Sequence, residues 1–276
     1  MSTWREMMVA SGLPLNEARL LAAHAAGRAR SWMLAHDDEE AAKDALDAAH
    51  TAFVRRRAGE PVAYILGERE FYSLMFAVTP AVLIPRPETE LLVDLVLERL
   101  PLHGSLIDIG TGSGAIAVAV AHARPDVEVW ACDISMEALA VAQSNSRRHG
   151  TGIRFVQSDL LATFTSPALA GKRFDVIVSN PPYIAEGDAH LSTGDLRFEP
   201  HAALASGTDG LTLIRRLAAE APAHLKPAGW LLFEHGYDQG GICHSLLQSM
   251  EYKEVFTNID LAGHPRVCAG RTANLT

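Results

Sequence analysis

The chain has 276 residues, 48% hydrophobic and 21% charged, the balance of a folded globular protein rather than a disordered one. Its formal net charge is -9, and neither the first 77 residues nor the remainder carries a basic excess, which disfavours a broad electrostatic grip on nucleic acid. Three cysteines, Cys132, Cys243 and Cys268, lack the paired short spacing of structural zinc or a disulfide framework, and there is neither a leader pattern nor an apolar run of about 18 residues, so a reduced cytoplasmic protein without metal or membrane segment is expected.

Residues 1–70 hold no alternating strand pattern. Apolar positions recur at three- and four-residue spacing and predict helices over 13–24 and 38–57, the second with acids in its first turn and Arg55-Arg56-Arg57 near its end, both suited to the helix dipole. Residues 71–84 are rich in aromatic and β-branched side chains with a break at Thr79-Pro80, the pattern of a strand pair or extended connector. Pro85-Arg86-Pro87-Glu88-Thr89-Glu90 then opens a helix, with proline in the first turn and acids beside the N-terminus. These features divide the chain into a helical domain with the start of a connector, 1–77, and a second domain, 78–276.

From residue 105 onward, strands and helices alternate. Strands are expected at 106–109, 127–131, 153–157, 174–178 and 230–234, helices at 113–122, 136–148, 209–225 and 240–250, and two short strands near Val255 and Val267. Such alternation predicts an α/β fold with a mostly parallel sheet covered on both faces.

Three strand ends carry candidate chemistry. Asp108-Ile109-Gly110-Thr111-Gly112-Ser113-Gly114 sits where the first of these strands turns into a helix, and its glycines let the backbone approach a ligand beside free helix N–H groups. Gly110, Gly112 and Ala115 also approximate a dinucleotide fingerprint. Asp133 ends the second strand, where a carboxylate can accept both ribose hydroxyls of NAD or of S-adenosylmethionine, or else cap the next helix. Asp159, after the third strand, is placed to accept an adenine amine, with a helix cap again the alternative.

Ser179-Asn180-Pro181-Pro182-Tyr183 follows the apolar run 174–178, and its two prolines must end that strand because neither can donate to a ladder. An amide and an aromatic ring are thus presented at the carboxyl end of a buried strand, where ligands of open α/β sheets bind. A planar amide or amino nitrogen attacks only if its delocalised lone pair is turned toward the electrophile. The Asn180 side-chain oxygen and the Pro181 carbonyl can hold the two NH2 hydrogens in that pose, a preorganisation worth up to roughly 10 kcal/mol. Tyr183 can cover the planar group and attract a sulfonium by about 1 kcal/mol. Hydride transfer finds no evident proton donor here. Gly112-Ser113-Gly114 is no nucleophile elbow because position 111 is Thr, and His235 has no metal-ligand partner at the required spacing.

With these residues in view, the chain resembles Rossmann-like class I S-adenosylmethionine-dependent methyltransferases, and specifically the peptide chain release factor N(5)-glutamine methyltransferases, the HemK/PrmC family. The resemblance rests on the motifs above together with Phe71-Tyr72, Thr79-Pro80, Leu83-Ile84-Pro85-Arg86-Pro87-Glu88-Thr89-Glu90, Ser158-Asp159, Glu199-Pro200, Ala203-Leu204, Asp209-Gly210-Leu211 and Glu234-His235-Gly236. Asn-Pro-Pro-Tyr is shared with adenine-N(6) and other amino-group methyltransferases, whereas the 84–90 segment is more specific. The resemblance implies a class I methyltransferase domain behind a small N-terminal helical domain. It implies that Gly110, Thr111, Gly112, Ser113 and Gly114 line the methionine end of S-adenosylmethionine, that Asp133 holds the ribose, and that Asp159 and Leu160 meet the adenine, Leu160 standing where relatives often carry an aromatic residue. Asn180, Pro181, Pro182 and Tyr183 would surround the glutamine, with Asn180, Pro181 and Tyr183 catalytic and Asn180 also bordering the cofactor. The implied partner is a class I release factor, methylated at the glutamine of its Gly-Gly-Gln motif by a cytoplasmic, monomeric enzyme that binds no nucleic acid. A ribosomal-protein glutamine, adenine in nucleic acid, or a silent cofactor-binding module are the competing readings.

Overall fold

The computed structural model describes residues 3–273. It divides into two compact units, one running to Glu68 and including Thr193–Phe198, the other comprising Arg69–Ser192 and the chain from Glu199 onward.

The first unit contains the helices α1 (Trp4–Ala10), α2 (Leu15–Ala25), α3 (Arg30–Ala35), α4 (Lys43–Arg57) and α5 (Val62–Leu66) around Trp4, Met8, Leu21, Met33, Phe53 and Ile65. Helix α2 matches the stretch predicted at 13–24. The helix expected over 38–57 is shorter, because residues 37–40 pair with the start of the chain instead. Trp4 N–H donates to the Glu39 carbonyl at 3.3 Å and Arg5 N–H to the Asp37 carbonyl at 2.6 Å, so of the expected acids only Asp44 remains in the first turn. The short α1 is set by a capping box between Thr3 and Glu6. The arginine run is largely internally satisfied: Arg55 pairs with Glu60 at 2.5 Å, and Arg56 with Glu17 at 2.6 Å and Asp195 at 2.8 Å.

A hairpin of β1 (Glu68–Phe71) and β2 (Leu74–Ala77) follows, joined by Tyr72 and Ser73 at φ 51° and 60°, the left-handed pair that a two-residue hairpin turn requires. The sequence places the helical domain together with the start of the connector in 1–77. The compact units divide after Glu68, and the connector residues Phe71 and Phe76 are fully buried in the core of the second unit with Leu92 and Val96.

That unit continues with α6 (Glu90–Arg99), β3 (Ser105–Ile109), α7 (Ala115–Ala123), β4 (Glu128–Asp133), α8 (Met136–Arg148), β5 (Ile153–Gln157), β6 (Phe174–Ser179), α9 (Thr212–His224), β7 (Leu225–Glu234), α10 (Gly240–Ser249), β8 (Lys253–Ile259) and β9 (Pro265–Arg271). The seven strands lie in the order β5-β4-β3-β6-β7-β9-β8, all parallel except β9, which runs antiparallel to both of its neighbours. Alternate residues serve opposite faces, as the two-residue strand period demands. Leu106, Val176 and Leu232 enter one core with Val93 and Val118, while Ile107, Ile177 and Phe233 enter the other with Ile214 and Leu217. Strand order reverses between β3 and β6, which pair in register from Leu106↔Val176 to Ile109↔Ser179. Their carboxyl ends therefore open one crevice, the place where such sheets hold ligands.

Among the described residues no helix is long and apolar enough to cross a membrane, and no group of three or more His, Cys, Asp or Glu side chains is placed to hold a metal ion.

Candidate active site

A cavity of about 850 Å³ occupies the crevice. Gly110 and Gly112 form part of its wall at φ 68° and 56°, and a Cβ on either would meet nothing within 4 Å, so the loop leaves open space beside its backbone. Thr111 anchors this loop from beneath. Its Oγ1 donates to Asp108 Oδ2 at 2.7 Å, and the Ala117 amide donates to the same oxygen at 3.3 Å. Gly114, grouped with the ligand-binding glycines in the sequence reading, does not line the cavity. It N-caps α7 at φ 82°, where a Cβ would lie 3.1 Å from that of Ala142, so its missing side chain lets α7 pack closely on α8.

Asp108 is 1% exposed, and burial pushes its carboxyl up to about 7. The folded protein therefore keeps this proton up to near neutrality, whereas the unfolded chain releases it at about pH 4. Unfolding in that window releases a proton, so this group's contribution to stability falls as pH rises from 4 to 7. Urea unfolding at pH 4 and pH 8 should show the wild type losing roughly 3–5 kcal/mol relative to Asp108→Asn; parallel pH profiles would show that Asp108 does not titrate in this range.

Asp133 accepts from two backbone amides, Gly112 N–H on Oδ2 and Ser135 N–H on Oδ1, both at 2.9 Å. The cap of α8 is Ser135, whose Oγ accepts from Ala138 N–H at 3.1 Å, so Asp133 does not spend its carboxylate on the helix. Each Asp133 oxygen has further acceptor capacity, and the residue lines the cavity. Asp159 lines it too, paired with Arg216 of α9 at 3.1 Å. Leu160 follows at φ 47°, a left-handed backbone that turns this apolar side chain into the lining.

Asn180 and Pro181 form the wall on the β6 side, where Ser179 Oγ donates to the Ile109 carbonyl at 2.8 Å and ties the two strand ends together. Asn180 Nδ2 donates to Thr89 Oγ1 at 3.1 Å, Thr89 Oγ1 donates to Glu234 Oε2 at 2.6 Å, and the Tyr183 hydroxyl donates to Glu234 Oε1 at 3.1 Å. Glu234 is 1% exposed; burial raises its carboxyl, opposed by the two hydroxyl donors and by the charge of Arg266. Tyr183, expected to cover a planar substrate, is not among the residues that line the cavity, and its hydroxyl is held by Glu234. A half-buried phenol gains from a partner, and Glu234 supplies it; desolvation and the neighbouring Glu234 hold the hydroxyl well above its ordinary value. At Arg86, another lining residue, the fully buried Glu199 carboxylate pairs with the guanidinium and accepts from Ile84 N–H at 3.0 Å, fixing this stretch beside Pro200.

The structure thus brings Gly110, Thr111, Gly112, Ser113, Asp133, Asp159, Leu160, Asn180, Pro181 and Pro182 to one cavity and leaves Gly114 and Tyr183 outside its lining. Thr89, Glu199 and Glu234 had no assigned role in the sequence reading. A signal was present for Glu234, an acid closing the apolar strand Trp230-Leu231-Leu232-Phe233, since a carboxylate there must be buried and partnered.

Two family models match the chain, a PrmC N-terminal domain over residues 4–67 and a methyltransferase small domain over 87–207. A release factor glutamine methyltransferase of Bordetella pertussis is 47% identical over 98% of this chain and 99% of its own length, and one from Vibrio cholerae is 45% identical over 95% and 91%. The chain belongs to the release factor glutamine methyltransferase family. A 16S rRNA methyltransferase of Thermus thermophilus, solved in complex with AdoMet and guanosine, shares the fold at 20% identity and a TM-score of 0.52, covering 74% of this chain and 49% of that one. The second unit is accordingly a class I methyltransferase domain.

Proposed function

We propose that this chain transfers the methyl group of S-adenosylmethionine to the side-chain amide nitrogen of the glutamine in the Gly-Gly-Gln motif of class I peptide chain release factors, in the cytoplasm where translation terminates. The observation that carries this reading is the pose of Asn180: its Nδ2 is engaged by Thr89, which leaves Oδ1 as the acceptor on the cavity wall, beside the Pro181 carbonyl on a backbone stiffened by two prolines.

The cavity suits the cofactor. Gly110 and Gly112 leave room for its amino-acid end, the Asp133 carboxylate retains acceptor capacity for the ribose hydroxyls, and Asp159 with Leu160 offers an acceptor and an apolar surface to adenine. Bound there, S-adenosylmethionine supplies an electrophilic methyl group on a sulfonium. Asn180 Oδ1 and the Pro181 carbonyl accept the two N–H groups of the glutamine amide, which turns the nitrogen lone pair out of conjugation and toward that methyl group. Transfer would form the N–C bond as the sulfonium S–C bond breaks and release one amide proton to solvent, giving N(5)-methylglutamine and S-adenosylhomocysteine. Tyr183 is tied to this wall through its hydrogen bond to Glu234.

Labelled methyl from S-adenosylmethionine should pass to purified release factor and not to a variant whose loop glutamine is replaced. Equal labelling of both would remove the proposed target, and label appearing only in ribosomal proteins would move the activity to a different glutamine.

A further inference from the structure

The amide of Asn180 can face the cavity with either end, and only the oxygen end can accept from a glutamine NH2. We infer that Thr89 and Glu234 are positioning residues that select this end, through a directional relay from Glu234 to Thr89 to Asn180; the inference rests on the proposed role of Asn180 as substrate acceptor.

The direction follows from counting protons. Both Glu234 oxygens are occupied as acceptors, each met by one hydroxyl, Thr89 at 2.6 Å and Tyr183 at 3.1 Å. The Thr89 hydroxyl has a single proton and gives it to Glu234. Toward Asn180, 3.1 Å away, it therefore presents a lone pair, and the group that meets it must be Nδ2–H. Oδ1 is left at the cavity. Thr89 lines the cavity but is only 4% exposed, and Glu234 is 1% exposed, so a partner pointing the wrong way would be left poorly satisfied. The relay also joins three distant parts of the chain. Thr89 precedes α6, Asn180 follows β6 and Glu234 ends β7, with separations of 91 and 145 residues along the sequence between the bonded pairs. The buried carboxylate, which touches neither the cofactor cleft nor solvent, is thereby given a task in the reaction.

The test uses the full chain with purified release factor. Thr89→Val keeps the shape and removes the hydroxyl; it should lower kcat at least about tenfold while the affinity for S-adenosylhomocysteine, read by calorimetry, stays within about twofold and Tm within a few degrees. Thr89→Ser restores the hydroxyl and should recover most of kcat. Glu234→Gln places an amide that can donate to Thr89 and reverse the chain, so it should resemble Thr89→Val. Unchanged kcat in Thr89→Val beside an inactive Asn180→Ala would overturn the relay and leave the proposed function standing. A loss in Thr89→Val that Thr89→Ser does not rescue, or one matched by loss of cofactor affinity and Tm, would show a packing role and overturn it equally. If the wild type itself methylates no release factor, the functional reading has failed, and that outcome is distinct from either of these.

Discussion

Asn180→Ala should reduce methyl transfer by at least about a hundredfold while cofactor affinity changes little. The side chain acts on the acceptor nitrogen, and its hydrogen bond gains strength only as that nitrogen leaves conjugation, so the loss belongs in kcat more than in KM. Truncation also leaves the Thr89 hydroxyl without its Nδ2–H donor, a cost of about 1 kcal/mol that a well-packed sheet end can absorb. Single-turnover rates with saturating release factor, beside calorimetry with S-adenosylhomocysteine, separate the two quantities. Normal turnover would mean that the amide is not the group that orients the substrate.

Asp133→Ala should fail in the opposite order, with cofactor affinity lost first. Charge-assisted hydrogen bonds to two ribose hydroxyls are worth roughly 1.5–3 kcal/mol each, so a Kd weakened by about a hundredfold or more is expected. The same substitution frees the Gly112 and Ser135 amides, which loosens the glycine loop against the end of β4 and adds to the loss. With enough S-adenosylmethionine to saturate the variant, much of kcat should return, because Asp133 lies away from the acceptor wall formed by Asn180 and Pro181. Undiminished affinity by calorimetry would count against a ribose role.

Both predictions concern residues that could be named before any fold was known. Buried parallel strands are continuous apolar runs, so the stretches at 106–109 and 174–178 announced themselves, and prolines 181 and 182 marked where the second had to stop. Glycines at 110 and 112 signalled close backbone approach by their lack of a side chain. The short helices α1, α3 and α5 escaped, since five to seven residues hold too few turns to show a period, and the start of α4 was misplaced because residues 37–40 found partners at the far end of the unit.

The sequence by itself determined the alternation of strands and helices, the strand ends that carry the glycine loop, Asp133 and the Asn-Pro-Pro-Tyr turn, and the family they resemble. These are properties of local period and local backbone chemistry. Only the tertiary structure decided that Gly114 lets two helices pack closely, that the Tyr183 hydroxyl is held by Glu234, and that Thr89 stands between Glu234 and Asn180. Those outcomes depend on hydrogen bonds between residues far apart in the chain, and such partners are chosen by strand order and by the demand that every buried polar group be satisfied, neither of which leaves a periodic trace in the amino-acid sequence.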